Sequence, residues 1–130
     1  MYLLDTNACI YIINKRPEKV TEKICTLNPF DVKISSITVA ELEYGASKSK
    51  RRDQNRAALY NFLSPLEIIF FDTRDAEIYG ILRAELENRG KPIGPYDMQL
   101  AAQALARDLI FVTNNTAEFR RIPGLKLENW

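Results

Sequence analysis

Apolar side chains follow two rhythms along these 130 residues. Four short blocks, Tyr2 to Leu4, Val32 to Ser35, Glu67 to Phe71 and Leu109 to Val112, are rich in β-branched or aromatic residues and read as strands. Between them the apolar positions recur every three or four residues, the spacing by which a helix turns one face to a core. Cys9, Ile10 and Ile13 mark a helix over Ala8 to Asn14. Pro17 permits a second start, and Val20, Ile24 and Leu27 carry it to Asn28-Pro29. Ile37 to Ala46 and Asp53 to Leu63 read as two more helices. Asp72-Thr73-Arg74-Asp75 opens a long one that runs to Arg89-Gly90. Pro92 to Pro95 is a loop and Tyr96 to Ala106 a helix rich in Ala and Leu. A short helical turn follows Thr116, and Pro123-Gly124 leads into an edge strand at Leu125 to Leu127.

Strands alternating with helices predict an α/β fold: a parallel sheet of four to five strands with helices on both faces, joined by right-handed crossovers. The length fits one domain over residues 1–130. No repeat or low-complexity tract interrupts it. In sheets of this kind ligands bind beyond the carboxyl ends of the strands, so chemistry is sought there.

Composition narrows that chemistry. Apolar residues at 46% and charged residues at 27% are ordinary for a soluble globular chain. The longest apolar runs span only a few residues, as at Ile68 to Phe71, so no membrane span is expected. Met1-Tyr2-Leu3-Leu4-Asp5 has no basic n-region, so no signal peptide is expected either, and a cytoplasmic protein is. There is no histidine, which excludes Ser-His-Asp and Cys-His nucleophilic machinery and histidine metal ligation. Cys9 and Cys25 fit no zinc spacing and are read as small buried hydrophobes.

Carboxylates remain, and the pattern delivers several to one edge. Asp5 closes the first strand, and Glu41 lies one to two turns into the helix after the second. Asp97 opens the helix that runs antiparallel into the fourth strand, and Glu118 follows that strand. Each has an ordinary role as well. Asp5 suits an N-cap, Thr38 with Glu41 and Asn115 with Glu118 have capping-box spacing, and Asp97 suits the positive end of a helix. Asp72 and Asp75 show the same capping pattern and are assigned to it alone. Clustered acids repel one another, and a hard divalent cation on oxygen ligands, Mg²⁺ or Mn²⁺, resolves the repulsion. Such a centre supports phosphodiester hydrolysis without histidine. Near it in sequence lie Lys48, Lys50, Arg51, Arg52 and Arg56, which against Asp53 leave a local charge of +4 in a chain of net charge +1. A basic cluster on an otherwise slightly acidic chain is a partial footprint of a polyanion binder, with a solvated loop–helix junction as the plainer reading.

Leu4-Asp5-Thr6-Asn7, Ser35-Ser36-Ile37-Thr38-Val39-Ala40-Glu41-Leu42 with Tyr44-Gly45, Gly94-Pro95-Tyr96-Asp97, and Val112-Thr113-Asn114-Asn115 with Glu118-Phe119 occur in this order. The set resembles the PIN-domain ribonucleases, specifically the VapC toxins of bacterial VapBC toxin–antitoxin modules, over essentially the whole chain. The resemblance implies a PIN-like three-layer fold and Mg²⁺- or Mn²⁺-dependent endonucleolytic cleavage of RNA, with translation as the target. It carries Asp5, Glu41 and Asp97 over as the catalytic and metal-holding triad. Glu118 becomes a candidate fourth acid, and Thr6, Thr113, Asn114 and Asn115 become orienting groups. It further implies a homodimer and a VapB-type antitoxin that blocks the site. The most similar subgroup includes toxins that cut initiator tRNA in its anticodon loop. Many members carry an aspartate where this chain has the amides Asn114 and Asn115, which favours one well-held metal over two.

Two other readings are weighed against this one. A receiver-like phosphoacceptor domain has an adjacent acidic pair after the first strand and a lysine after the last, whereas here Asp5 is followed by Thr6 and Leu127 by Glu128. A non-catalytic α/β binding module would use its acids only as helix caps.

Overall fold

A computed structural model describes residues 1–130. Its five strands are β1 (Tyr2–Leu4), β2 (Val32–Ser35), β3 (Glu67–Ile69), β4 (Ile110–Val112) and β5 (Lys126–Glu128), all parallel and ordered β3-β2-β1-β4-β5. Seven helices connect them: α1 (Thr6–Asn14), α2 (Glu18–Cys25), α3 (Ser36–Lys48), α4 (Arg52–Leu63), α5 (Thr73–Asn88), α6 (Pro95–Ala106) and α7 (Thr116–Phe119).

Adjacent residues in the two central strands feed opposite layers, because side chains alternate across a pleated sheet. Leu3 and Phe111 turn to a core with Leu82, Leu86, Met98 and Phe119 beneath α5, α6 and α7. Leu4 and Val112 turn to a second core with Val20, Val32, Ile34, Leu59 and Trp130 beneath α1 to α4. Burying each such side chain contributes roughly 1.5–3 kcal/mol. Both faces are thus covered, giving the expected three layers. In α6, Ala101, Ala102 and Ala104 are at most 1% exposed; small side chains let this helix lie close to the sheet, which fixes where its N-terminus emerges.

From β1 the chain steps to β2 and β3, then crosses back to place β4 on the other side of β1. The order reverses between β1 and β4, and a crevice opens at their carboxyl ends. There the Asp5 N–H donates to the Val112 carbonyl at 3.0 Å, extending the ladder one residue beyond β1.

Several boundaries differ from expectation. The third strand stops at Ile69, two residues short: β3 has one neighbour only, Asp72 begins to cap α5, and Phe70 is left exposed. The last strand is shifted by one residue, to Lys126–Glu128. α1 starts two residues earlier than the apolar spacing implies, at Thr6. Cys9 is buried but Cys25 is exposed, because it is one position, about 100° around the helix, from the inward-facing Ile24.

Candidate active site

Asp5 is built by two local rules at once. It is the first residue after β1 and the N-cap of α1, and its Oδ1 accepts a 2.7 Å hydrogen bond from the Ala8 N–H. Both the cap and the strand end hold the carboxylate at the crevice, where it is only 7% exposed. Burial raises its pKa above the usual aspartate range, and the charge of Glu41 adds to this. The Thr113 hydroxyl and the Ala8 N–H pull in the other direction. Just behind it the Cys9 thiol is pushed far up, first by complete burial and then by the Asp5 charge, so it stays protonated and inert.

Glu41 comes from the second turn of α3. That helix is capped by Ser35, whose Oγ accepts from the Ile37 N–H at 3.1 Å. Thr38 is therefore an interior helix residue and not the cap that its spacing to Glu41 implied. Its hydroxyl is fully buried and lies 3.3 Å from Thr6 Oγ1. Thr6 in turn stands 2.9 Å from Glu41 Oε1. The single Thr6 proton belongs to the nearer, charged acceptor, and the Thr6 oxygen is left to accept from Thr38. Thr6 thereby holds Glu41 in one orientation. Thr38, which was read only as a cap, supports it from below.

Asp97 opens α6 behind Gly94-Pro95, with Pro95 at the first helical position, where a missing N–H costs nothing. Its carboxylate has neither a hydrogen-bond donor nor a cation. Partial burial raises its pKa, followed by the negative charges of Glu118, Asp5 and Glu41 in that order. Carboxylates from the end of β1, from α3 and from α7 thus all act on Asp97.

Glu118 is held from outside the crevice. Asn115 donates its side-chain amide to Glu118, and Arg121 pairs with the same carboxylate at 3.7 Å. Asn115 provides no side-chain cap for α7; instead its own N–H donates to Thr113 Oγ1 at 3.0 Å. Asn114 donates to the Tyr11 hydroxyl at 2.8 Å. Neither amide is bonded to Asp5, Glu41 or Asp97.

No three carboxylates stand close enough here to form a finished cation cage. The donor set still suits a hard divalent ion: all oxygen, raised pKa at Asp5 and Asp97, and no ion pair to Asp5, Glu41 or Asp97.

The five basic residues do not form one patch. Lys48 borders a cleft of about 780 Å³ that also contains Thr6 and Glu41. Lys50, Arg51 and Arg52 line a separate depression at the α3–α4 turn. Arg56 pairs with Glu43 at 3.6 Å on another side of α4. Of the cluster, only Lys48 shares a cleft with an acid of the triad. Sequence proximity grouped what two successive helices then separate.

Residues 2–125 match the PIN domain family. The tRNA(fMet)-specific endonuclease VapC of Salmonella typhimurium is 46% identical over 129 residues, which cover 99% of this chain and 97% of that one. Ribonuclease VapC2 of Rickettsia felis is 49% identical over 131 residues, covering 100% and 98%. The crystal structure of VapBC2 from Rickettsia felis bound to a DNA fragment from their promoter superposes with a TM-score of 0.92 at 49% identity, covering 99% of this chain and 98% of that one. Sheet topology and likeness along nearly the full length agree, and the chain belongs to the VapC ribonucleases of the PIN-domain family.

Proposed function

We propose that this ribonuclease is the toxin of a toxin–antitoxin module and cuts tRNA, with the anticodon loop of initiator tRNA as its target. In this reading Asp5, Glu41 and Asp97 hold one Mg²⁺ or Mn²⁺ ion, and Glu118 is a fourth acid at its margin. PIN-domain ribonucleases are generally dependent on divalent metals. The observation that carries the assignment is Asp97: an acid without a donor or cation, its pKa raised first by partial burial and then by carboxylates from three other parts of the fold. Asp72, which caps α5, instead has Arg107 beside it.

When bound, such a cation screens the acids, attracts the phosphodiester and acidifies water at the site. The chain's own residues do the positioning. The Ala8 N–H and Thr113 fix Asp5, Thr6 fixes Glu41, and the start of α6 fixes Asp97. Lys48 supplies positive charge beside the acids, where the RNA backbone needs it.

Cleavage of the kind named for the Salmonella relative supports the tRNA substrate. The VapBC complex of Rickettsia felis supports a VapB-type antitoxin as partner; the homodimer is carried by the family resemblance alone. No helix is long and apolar enough to cross a membrane, which is compatible with action in the bacterial cytoplasm.

The test is incubation of purified protein with total tRNA, with Mg²⁺, with EDTA, and with an Asp5→Asn variant purified identically. Discrete fragments that require both metal and Asp5 are expected, and sequencing their ends identifies the tRNA cut. A melting curve adds a readout independent of catalysis. At one hundred times its Kd, Mg²⁺ stabilises the wild type by about 2.7 kcal/mol, and Asp5→Asn is expected to abolish that gain. Fragments that persist in EDTA, or a melting curve indifferent to Mg²⁺ and Mn²⁺, would overturn the metal assignment.

A further inference from the structure

Of the four acids at the crevice only Glu118 has a cation beside it, and that cation reaches beyond the pair. Arg121, three residues on, has its Nη2 at 3.7 Å from Glu118 Oε1. An ion pair at this spacing, with side chains 30% and 29% exposed, contributes little by itself. The same guanidinium also donates from Nε to the Glu118 carbonyl at 3.2 Å and from Nη1 to the Lys91 carbonyl at 3.0 Å. A planar fork of several donors can bridge two segments where a single ammonium cannot.

The Lys91 end of this bridge leads to Asp97. Lys91 lies between α5 and α6, and its N–H donates to the Leu86 carbonyl at 2.9 Å. Its backbone is thus tied on one side to the end of α5 and on the other to Arg121. Pro92 and Pro95 stiffen the stretch that follows, because each fixes its own φ. Ile93, between them, is buried in one core with Phe119 and Ile122 from the Arg121 side. The Gly94 carbonyl accepts from the Met98 N–H at 3.0 Å, and a methyl group on Gly94 would stand 3.8 Å from Asp97 Oδ2. The Asp97 carboxylate therefore lies against the segment whose other end Arg121 holds. Among the acids around Asp97, Glu118 acts on it most strongly.

We propose that Arg121 is a positioning residue of the acidic centre: one guanidinium ties Glu118 to the segment, residues 91–95, that presents Asp97. The proposal rests on the metal-dependent ribonuclease reading and adds to it a residue outside the acids. Arg121 acts through Glu118 and Asp97 and takes no part in bond breaking.

The test is a Mn²⁺ titration of the full-length protein followed by its melting curve, a readout that needs no catalysis. Mn²⁺ should raise the wild-type melting temperature by mass action on the folded state. Removing a group that orients a metal ligand weakens metal affinity by about 10–100-fold, so Arg121→Ala should need at least roughly tenfold more Mn²⁺ for the same rise. Arg121→Lys keeps the charge and loses the fork, and should recover only part of that loss. Arg120→Ala, which removes a neighbouring exposed cation, should titrate like the wild type. In cleavage, Arg121→Ala should raise the Mn²⁺ needed for half-maximal rate by the same factor, with KM for RNA unchanged at saturating Mn²⁺.

An Arg121→Ala variant that melts lower without metal yet binds Mn²⁺ like the wild type would overturn the proposal and leave Arg121 a surface tie. A raised KM with unchanged Mn²⁺ affinity would also overturn it, and would place Arg121 on the RNA. Full recovery in Arg121→Lys would reduce the role to charge and sink the bridge. In all three outcomes the wild type still responds to Mn²⁺ and the ribonuclease reading survives. A wild type indifferent to Mn²⁺ would overturn the metal reading and this proposal together.

Discussion

At the carboxyl end of β3, Asp72 and Asp75 share the cation of Arg107; at the ends of β1 and β4, along the same edge of the sheet, Asp5, Glu41 and Asp97 have none. The first pair is a finished structure. Asp72 Oδ1 accepts from the Asp75 N–H at 3.0 Å, Asp75 Oδ2 accepts from the Asp72 N–H at 2.9 Å, and Arg107 reaches Asp75 at 2.5 Å and the Phe70 carbonyl at 3.1 Å. The second group has caps and hydroxyls but no counter-charge. Its pKa values move accordingly. Asp72 is lowered, first by the Asp75 N–H and with help from Arg107, while Asp5 and Asp97 are raised, first by burial and then by other acids. The unneutralised group is the one to which the proposed function assigns a cation.

Substitutions can break this contrast. The largest effect is expected from Asp97→Asn on catalysis. Removing a group that merely supports a metal ligand costs about 10–100-fold, so removing a ligand should cost more than a hundredfold in a cleavage assay; retention of near-wild-type cleavage would return Asp97 to the role of a helix-end acid. Arg107→Ala acts on the finished pair. It leaves Asp75, fully buried, without its cation, and should cost about 1–3 kcal/mol in denaturant unfolding. That is below the loss for a wholly buried pair, because the Arg107 side chain is 27% exposed. Cleavage by the folded fraction should be unaffected.

Thr6→Val keeps the shape and removes the hydroxyl that orients Glu41. It should lower kcat by roughly tenfold and leave the fold intact, and an unchanged rate would mean that Glu41 is held by something else. The smallest effect is in proton linkage, measured on metal-free protein. A raised pKa means that the folded chain holds its proton more tightly than the unfolded one, so ionised Asp97 weakens the fold at neutral pH. Asp97→Asn should therefore melt higher than wild type at pH 7, with the gap closing as pH falls through the raised value. Asp72 has the opposite sign: its lowered pKa stabilises at neutral pH and the benefit is lost in acid. Asp72→Asn should melt lower at pH 7, again converging at low pH. Gaps of the same sign for both variants would undo the contrast.

Much of this was legible in the chain. The central strands show as apolar blocks, and Asp5 and Asp97 sit where strand and helix ends must fall, so their edge follows from topology. Capping spacing alone also identified Asp72 and Asp75 as structural. Other features depend on packing that no local pattern carries. Thr38 lies 32 residues from Thr6, and only the placement of α3 against α1 makes it a support for the site. The spread of the basic cluster has the same origin: Lys48 and Arg56 are eight positions apart, but the α3–α4 turn places them on different surfaces. Phe70 and Phe71 read as strand because their propensity is high, yet an edge strand with a capping aspartate next to it has no partner for them.

The hydrogen bond from the Asp5 N–H to the Val112 carbonyl has a consequence in time. Asp5, Glu41 and Asp97 are all in place in the chain before residue 112 is made, yet β1 lacks its β4 neighbour until then, and Glu118 and the Thr113 hydroxyl come later still. A growing polypeptide that stops short of β4 therefore carries all three acids without the strand that β1 pairs with beside Asp5. For an enzyme proposed to attack the tRNA that its own synthesis consumes, the order of the strands postpones activity until the chain is nearly finished.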